Sequence, residues 1–194
     1  MAGQRTAGVG PAWPGVAFDE AYGAVLAVQA RRDRLDRAIA ELAATPTWAP
    51  VVGRLGCLRG VGVLTGFGLA VEIGDWQRFT GATVGAWLGL VPSEQSSGGR
   101  RTQGSITKTG NSHARRLLVE AAWHHRKPYR PSRELLARHA GQPAPVRERA
   151  DRGNRRLHQR WCRLDARGKR STISVVAVAR ELAGWCWSLA VLEA

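Results

Sequence analysis

The chain has 194 residues, of which 44% are hydrophobic, and it carries 29 Lys and Arg against 15 Asp and Glu. A chain of this length and composition can enclose one hydrophobic core, which excludes wholesale disorder. Its three cysteines are odd in number and form no C-x-x-C pair, which argues against a disulfide framework and a zinc knuckle. Because the sequence contains no evident signal peptide or membrane span, we expect a cytoplasmic protein with no membrane partner.

The excess positive charge lies in one half of the sequence. Residues 1–96 hold eight basic and eight acidic residues, whereas residues 97–170 hold 20 basic and five acidic residues. Only three of the 29 basic residues are lysine, and guanidinium groups match the geometry of phosphate oxygens. A coding sequence rich in G and C also favours arginine, but it would not confine the excess to one half. The charge therefore predicts a polyanionic partner, nucleic acid before acidic membrane.

The N-terminal part of the sequence predicts a separate helical element. Residues 1–15 are rich in Gly, Pro, Thr and Ala and indicate a disordered lead. Within residues 16–48, apolar side chains recur at helical spacing between charged ones, from about Phe18 to Ala44. This pattern predicts an amphipathic, coiled-coil-like helix that packs against another helix, and Pro46 marks its end.

Residues 50–194 are predicted to form one domain, which begins with a helix, a glycine turn and a second helix. Gly60 and Gly62 bracket the turn between the apolar segments 51–59 and 63–73. The turn resembles the helix-hairpin-helix element of DNA-binding proteins, in which glycines expose backbone N–H groups to a phosphate beside a helix N-terminus. The alternative is an ordinary glycine turn between packed helices.

A polar segment from Pro92 to Asn111 follows a short predicted helix over residues 82–90. Ser, Gly, Thr, Gln, Arg and Lys dominate this segment, which predicts a polar loop or a small hairpin. Asn111 is the predicted N-cap of a helix that runs to about His125. With no repeat and no clear series of strands, the predicted fold class is mainly α. Three further helices are expected at about 132–138, 147–166 and 172–192, the last of them apolar enough for a core helix.

The segment from Gly89 to Leu118 carries the most specific pattern in the chain. It places the hydroxyl groups of Ser96 and Ser97 in a polar loop among basic side chains. A serine oxygen attacks a phosphodiester only when its proton is removed and the charge on the pentacovalent phosphorus is neutralised, and clustered cations supply the second requirement. The same residues also suit a loop that holds phosphate without making bonds. The basic residues of this segment are Arg100, Arg101, Lys108, Arg115 and Arg116.

Other conspicuous side chains are more typical of a core than of a site. His124 and His125 are neighbours on a predicted helix, about 100° apart, so we expect no metal site from them. The Trp-Cys-Trp run at residues 185–187 is typical of a core segment rather than a cofactor site. Trp161 lies among arginines and offers a surface for base stacking, but a packed aromatic side chain is the stronger expectation.

Six motifs occur together between about Leu55 and Trp123. They are Gly60-Val61-Gly62, Ile73-Gly74-Asp75 with Phe79, Leu88-Gly89-Leu90-Val91-Pro92, Ser97-Gly98, Lys108-x-Gly110 and Arg115-Arg116-x-Leu118. With these motifs, the run resembles the C-terminal domain of the DEDD-type insertion-sequence transposases, the IS-one-ten family, whose later-recognised members are guided by a bridge RNA. Weaker similarity continues toward the last helix.

The resemblance implies DNA strand exchange through a transient phosphoserine link. In that family the serine of the Ser-Gly pair is the proposed nucleophile, which places the role on Ser97, with Ser96 as the neighbouring alternative. Gly60, Gly62 and the five basic residues named above are then the candidates for holding the DNA backbone. Family members also begin with a RuvC-like domain whose four carboxylates bind magnesium, and this sequence shows no such region. We therefore expect a truncated transposase with no metal or cofactor of its own.

The resemblance also implies the partners. We expect DNA, a bacterial nucleoid-associated location, and assembly with a second copy or a full-length transposase through the N-terminal helix. A guide RNA is a further candidate partner. Two alternatives from other classes stay open, namely a noncatalytic nucleic-acid-binding module and an inactive remnant of a degraded element.

Overall fold

The computed structural model describes residues 13–97 and 100–192, without the side chains of residues 14, 95–97 and 100–103. Within this range the protein is mainly helical, as predicted, with one short 3-10 helix at Trp123–Arg126 and two strands, β1 (Pro92–Ser97) and β2 (Arg100–Ile106). The described α-helices are α1 (Trp13–Ala43), α2 (Ala49–Leu55), α3 (Val63–Ile73), α4 (Thr83–Trp87), α5 (Ser112–Ala122), α6 (Arg133–Ala140), α7 (Ala144–Asp165) and α8 (Ser171–Ala190).

The chain divides into two units, the first ending at Ile39 and the second beginning at Ala40. The expected disordered lead lies outside the described residues as far as residue 12, and α1 begins at Trp13 rather than near Phe18. Taken by itself, the first unit exposes a large apolar surface, which is typical of a helix that pairs with another helix. Its exposed large hydrophobic side chains are Trp13, Val16, Phe18, Tyr22, Val25, Leu26, Val28 and Leu35.

The core of the second unit is built around α8. Helices α2, α4, α5 and α7 all pack against it, and Val178, Leu182 and Leu189 of α8 are fully buried. Among the described helices, α8 is long and apolar enough to cross a membrane by length and composition, yet half of its most apolar window is buried inside the fold. The prediction that this segment is a core helix is confirmed.

The segment that the sequence predicts as a polar loop or small hairpin contains a two-stranded antiparallel sheet. The register pairs Pro92 with Ile106 and Ser97 with Arg100, with an irregularity between Pro92 and Glu94. Ile106 packs against the core of the second unit, which attaches the hairpin at its base. A segment this polar can still form a hairpin, because main-chain hydrogen bonds hold the two strands together without an apolar face.

Candidate nucleic-acid interface

The glycine turn between α2 and α3 is packed against α5. Gly60 has a φ of +84°, a conformation that side-chain-bearing residues rarely adopt, and a Cβ there would clash with the carbonyl oxygen of Ala121. Val61 is fully buried, and Gly62 is the N-cap of α3. A Cβ on Gly62 would meet only a guanidinium nitrogen of Arg138, at 3.9 Å. Gly60 is therefore required by packing, whereas Gly62 leaves space at the N-terminus of α3.

Two arginines bind carbonyl groups around this turn. Arg138 Nη1 donates to the Val61 carbonyl at 2.8 Å, and Arg59 Nη1 donates to the carbonyls of Lys127 and Pro128 at 3.0 and 2.9 Å. Because a guanidinium has five N–H donors, both arginines keep donors for a ligand. A cavity of about 450 Å³ lies beside the turn. Its walls include Arg59, Gly60, Gly62, His124, Arg130 and Arg138.

A buried amide fixes the backbone that leads into the turn. Asn154, on α7, is fully buried, and its Oδ1 accepts the backbone N–H of Arg59 at 2.8 Å. Its Nδ2 donates to the Cys57 carbonyl at 3.1 Å and to the Tyr129 hydroxyl at 3.4 Å. Buried main-chain groups are costly when unpaired, so this amide stabilises the position of the glycine turn.

The predicted nucleophile lies at the end of β1. The backbone register pairs Ser97 with Arg100 and Ser96 with Arg101. The side chains of these four residues lie outside the described part of the structure, so their proposed chemistry stays a prediction. The backbone nevertheless brings both serines and both arginines to one end of the hairpin.

Two glycines allow main-chain contact at the base of the hairpin. Gly89 and Gly110 have φ values of +67° and +74°. A Cβ on Gly89 would clash with the backbone of Thr109, and a Cβ on Gly110 would clash with the carbonyl oxygen of Trp87. Lys108 also has a positive φ, of 56°, which costs a residue with a side chain roughly 1–2 kcal/mol. Close main-chain packing thus holds an exposed lysine in a fixed place beside the hairpin.

Arg115 connects the two sides of the hairpin base. Its Nη1 donates to the carbonyl oxygens of Leu88 and Thr109 at 2.9 and 3.0 Å. The adjacent Arg116 is exposed and lies 3.7 Å from Glu120, one turn along α5. Arg115 therefore uses part of its hydrogen-bonding capacity for the fold, whereas the guanidinium of Arg116 faces solvent.

The carboxylate of Glu72 positions the start of α5. Glu72, on α3, accepts a hydrogen bond from Asn111 Nδ2 at 2.5 Å and lies 2.6 Å from His113 Nδ1. The hydrogen bond with His113, and then that with Asn111, hold the pKa of Glu72 below its ordinary value. Asn111 Oδ1 also accepts the Ala114 N–H at 2.9 Å, which confirms the predicted N-cap.

Helix α5 connects the two regions predicted to contact DNA. Gly60 packs on the C-terminal end of α5, and the hairpin base is hydrogen-bonded to its first turn. At a rise of about 1.5 Å per residue, the 11 residues of α5 span roughly 16 Å. The structure thus brings Lys108 and Arg115 together at the hairpin base and holds the glycine turn at the other end of the helix.

His125 and Trp161, which were considered as a metal ligand and as a base-stacking surface, are core residues. His125 is fully buried, and burial lowers its pKa to about 3, so its ring is neutral at pH 7. Trp161 is only 3% exposed, and its ring centroid lies 5.6 Å from that of Trp123. In the range that the structure describes, no group of three His, Cys, Asp or Glu side chains could hold a metal ion. The expectation that Trp161 is a packed aromatic is confirmed.

One cationic region has no counterpart in the sequence-based predictions. Arg149, Arg180, Trp185 and Trp187 line a cavity between α7 and α8. These residues come from two helices, and the packing of α7 on α8 brings them together. The Trp-Cys-Trp run was expected to be core; Cys186 is buried in the core, and its two neighbouring tryptophans are partly buried and pack against that core. Local spacing gave no signal for this cavity.

The region that contains the glycine turn and the hairpin is similar to known transposases. Residues 53–136 match the family model described as Transposase IS116/IS110/IS902 family. The protein y4qE of Sinorhizobium fredii, named as a transposase, is 43% identical over 164 residues, which cover 83% of this chain and 42% of y4qE. The transposase for insertion sequence element IS1533 of Leptospira borgpetersenii is 30% identical over 155 residues, 79% of this chain and 45% of that protein.

A third relative matches the same central region. The transposase for insertion sequence element IS1328 of Yersinia enterocolitica is 40% identical over 70 residues, which cover 36% of this chain and 21% of that protein. The chain spans less than half the length of each of these curated relatives. Residues 53–136, which hold the glycine turn, the hairpin and α5, therefore form a domain of the IS116/IS110/IS902 transposase family.

Proposed function

We propose that this chain binds DNA and takes part in DNA transposition, with the Ser97 hydroxyl as the nucleophile that exchanges strands. Ser97 Oγ forms a bond to a backbone phosphorus while one P–O bond to a deoxyribose oxygen breaks. The proton lost by the serine is balanced by the proton that the leaving oxygen takes up. The observation that carries this proposal is the hairpin register, which pairs Ser97 with Arg100 inside the region that matches the transposase family.

The proposed role of the cations is to neutralise charge on the reacting phosphate. Arg100, Arg101, Lys108 and Arg116 supply positive charge in and beside the hairpin. Arg115 acts at the hairpin base, where one nitrogen binds two carbonyls and the other donors are available to a phosphate oxygen. Charge that is already in place when the pentacovalent phosphorus forms stabilises it most, since little reorganisation is then needed.

The glycine turn is the proposed second contact with the DNA backbone. The cavity beside Gly60 and Gly62 is lined by three arginines and one glutamate, Glu134, and lies at the N-terminus of α3, which carries a partial positive charge. This is the chemistry of the helix-hairpin-helix element. Because α5 spans roughly 16 Å, about five base-pair steps of B-DNA, one duplex could contact both the turn and the hairpin base.

The exposed apolar surface of α1 supports assembly with a second copy or with a full-length transposase. In this proposal magnesium belongs to a RuvC-like domain of the partner, and this chain contributes the serine and the cations. DNA is the principal ligand, with a guide RNA as an additional ligand to be tested. The proposed location is the bacterial cytoplasm, at the nucleoid.

A noncatalytic nucleic-acid-binding module is the second candidate function. It is favoured by the cavity beside Gly60, which can hold a phosphate without any nucleophile. An inactive remnant of a mobile element would have the same fold without the chemistry. The two differ from the leading proposal in one product, a covalent link between protein and DNA.

The test is the formation of a covalent protein–DNA adduct with end-labelled DNA, in the presence of a RuvC-like domain from a full-length relative. We expect a labelled adduct with the unsubstituted chain and with Ser96→Ala, and none with Ser97→Ala. An adduct that persists in Ser97→Ala and disappears in Ser96→Ala moves the nucleophile by one residue. The absence of an adduct from every variant, with DNA binding intact, would contradict the serine nucleophile and leave the noncatalytic module and the inactive remnant.

DNA binding itself is tested by its dependence on salt. Each phosphate neutralised by Lys or Arg releases counterions, so the logarithm of affinity falls linearly with the logarithm of salt concentration, with a slope of about −0.9 per contact. We expect Arg116→Met to reduce that slope by about one. The matched control is Arg34→Met on α1, which removes the same charge far from the interface in sequence. A flat salt response of the unsubstituted chain contradicts DNA binding by either candidate function.

A further inference from the structure

A cavity of about 480 Å³ lies between α7, α8 and the turn that precedes α4. Its volume falls within the range of small-molecule sites, roughly 300–1,000 Å³. Apart from Gly81 and Ala82, all of its lining residues lie outside the region that matches the transposase family. The residues that matter for its chemistry are Arg149, Arg160, Arg180, Glu181, Trp185 and Trp187.

The cavity has more positive charge than its own carboxylate can balance. Glu181 is 2.8 Å from Arg156 Nε and 3.8 Å from Arg160 Nε, so two guanidiniums already share its two oxygens. Arg149 and Arg180 also line the cavity, and neither guanidinium forms a hydrogen bond or ion pair with any residue in the described ranges. Two guanidiniums at one cavity are therefore available to a negatively charged ligand.

Glycines on the neighbouring elements make room for two indole rings at this cavity. A Cβ on Gly153 of α7 would lie 2.9 Å from the Trp185 ring, and a Cβ on Gly81 would lie 3.2 Å from the Trp187 ring. Both tryptophans are partly buried, which leaves part of each side chain accessible. The Nε1 of Trp187 is buried without a hydrogen-bond partner in the described structure. The cavity thus combines aromatic surface with unpaired arginines.

We propose that this cavity binds an unpaired nucleotide of a single nucleic-acid strand. Arg149 and Arg180 bind its phosphate, and the indoles of Trp185 and Trp187 contact its base. A simple anion site would need the arginines but not the tryptophans, whereas base–aromatic contacts contribute about 1–3 kcal/mol per base in single-strand binding. The site is separate from the proposed strand-exchange chemistry, because it does not involve the hairpin or its serines.

Photo-crosslinking locates such a site directly. Single-stranded oligodeoxythymidine that carries one 5-iodouracil is irradiated with the full chain, and the cross-linked peptide is identified by mass spectrometry. We expect the cross-link at Trp185 or Trp187, and we expect competition by unlabelled single-stranded DNA to exceed competition by duplex DNA. Cross-links confined to other peptides, or equal competition by the duplex, overturn the proposal.

Matched double substitutions separate the cavity from general charge. Arg149→Met with Arg180→Met removes both unpaired guanidiniums and keeps the aliphatic part of each side chain, including the Arg180 stem that lies against Gly85. Arg163→Met with Arg167→Met removes the same charge from the last turn of α7 and the residues just after it. We expect the cavity variant to lose about tenfold in single-strand affinity at roughly 0.1 M salt and the control at most about twofold. Equal losses in the two variants overturn the proposal, provided that circular dichroism shows both to be folded.

Two further experiments identify the type of ligand that the cavity binds. An oligouridine with one 5-iodouridine tests RNA, and a cross-link at the same tryptophans supports the site with RNA as its ligand. Polyglutamate tests an acidic peptide, and stronger competition by polyglutamate than by oligonucleotide overturns the nucleotide assignment. The outcome is independent of the Ser97 adduct assay, so a failure here leaves the proposed strand exchange intact, and the reverse also holds.

Discussion

Two groups of arginines in the second unit carry the same charge but have different surroundings. The tied arginines each donate to at least one main-chain carbonyl, and we define them as Arg54, Arg59, Arg78, Arg115 and Arg138. The free arginines, defined as Arg149 and Arg180, line the cavity between α7 and α8 without a hydrogen bond or ion pair in the described structure. Net charge therefore does not distinguish guanidiniums that share their donors with the fold from guanidiniums whose donors are all available to a nucleic acid.

The position of an arginine in the fold explains the difference. The tied arginines lie near helix ends and turns, where carbonyl groups have no partner within their own helix. Arg54, for example, donates to the Leu192 carbonyl beyond the end of α8 at 2.6 Å. The free arginines lie within α7 and α8, where the neighbouring carbonyls already accept helical hydrogen bonds. Arginines within a helix that also lack a carboxylate partner are therefore the better candidates for ligand contacts.

The largest effect is expected from Gly110→Ala, which disrupts the hairpin base that Arg115 holds. The new Cβ would clash with the Trp87 carbonyl and would be forced into a positive φ, at a combined cost of roughly 3–5 kcal/mol. Gly168→Ala is the matched control, because Gly168 has a φ of +65° and nothing within 4 Å of the new Cβ. It should cost about 1–2 kcal/mol. Urea unfolding of both variants measures the difference, and equal losses would show that the base is not close-packed.

The next effect distinguishes a tied arginine from its exposed neighbour. Arg115→Met removes the donor to the carbonyls of Leu88 and Thr109 and should destabilise the fold by about 2–3 kcal/mol. Arg116→Met removes the same charge from an exposed side chain and should change stability by less than about 0.5 kcal/mol. Both values come from urea unfolding at one pH and salt concentration. Similar losses for the two variants would remove the structural role assigned to Arg115.

The sequence predicts the local features of the fold well. The N-terminal helix, the Asn111 cap and the α8 core helix all follow from spacing or from residue type, and each is found in the structure. The polar composition from Pro92 onward allowed either a loop or a hairpin, because composition alone does not specify strand pairing. The proposed chemistry of Ser97 depends on side chains outside the described range and stays a prediction.

The long-range partners could not be predicted from the sequence. Arg115 is 27 residues from the Leu88 carbonyl that it binds, and Glu72 is 39 residues from Asn111. Such pairs depend on how helices pack, and a single sequence gives no register between distant helices. The same limit explains why Arg115 was predicted only as a phosphate contact. The family resemblance identified the region correctly, but it did not separate tied from free guanidiniums.

A smaller effect is expected from Glu72, the carboxylate that positions the start of α5. The pKa of Glu72 in the fold lies below its ordinary value of 4.5, so the protein binds fewer protons at Glu72 than the unfolded chain does. The stabilisation is therefore complete above about pH 4.5 and is lost as the pH falls through the pKa of the folded state. We expect the stability advantage of the unsubstituted chain over Glu72→Gln to shrink between pH 6 and pH 3, where the two sets of unfolding curves should converge.

Removal of a hydrogen-bond partner provides the control for Glu72. His113→Ala deletes the interaction that lowers the pKa of Glu72 most, so carboxyl NMR should report a higher pKa for Glu72 in that variant. In the His113→Ala variant, the stability that depends on the Glu72 carboxylate should therefore fall less as the pH is lowered. A stability difference between Glu72→Gln and the unsubstituted chain that stays constant across this range contradicts the assignment.

The smallest effect is expected where a guanidinium has no partner in the described fold. Arg180→Met keeps the aliphatic contact with Gly85 and breaks no described hydrogen bond, so unfolding free energy should change by less than about 0.5 kcal/mol. Its expected consequence is instead weaker binding of single-stranded DNA. Arg138→Met should lower the unfolding free energy, because Arg138 donates to the carbonyl of the buried Val61 beside the glycine turn. If Arg180→Met destabilised the fold as much as Arg138→Met, the α7–α8 arginines would be structural like the others, and the cavity would lose its free cations.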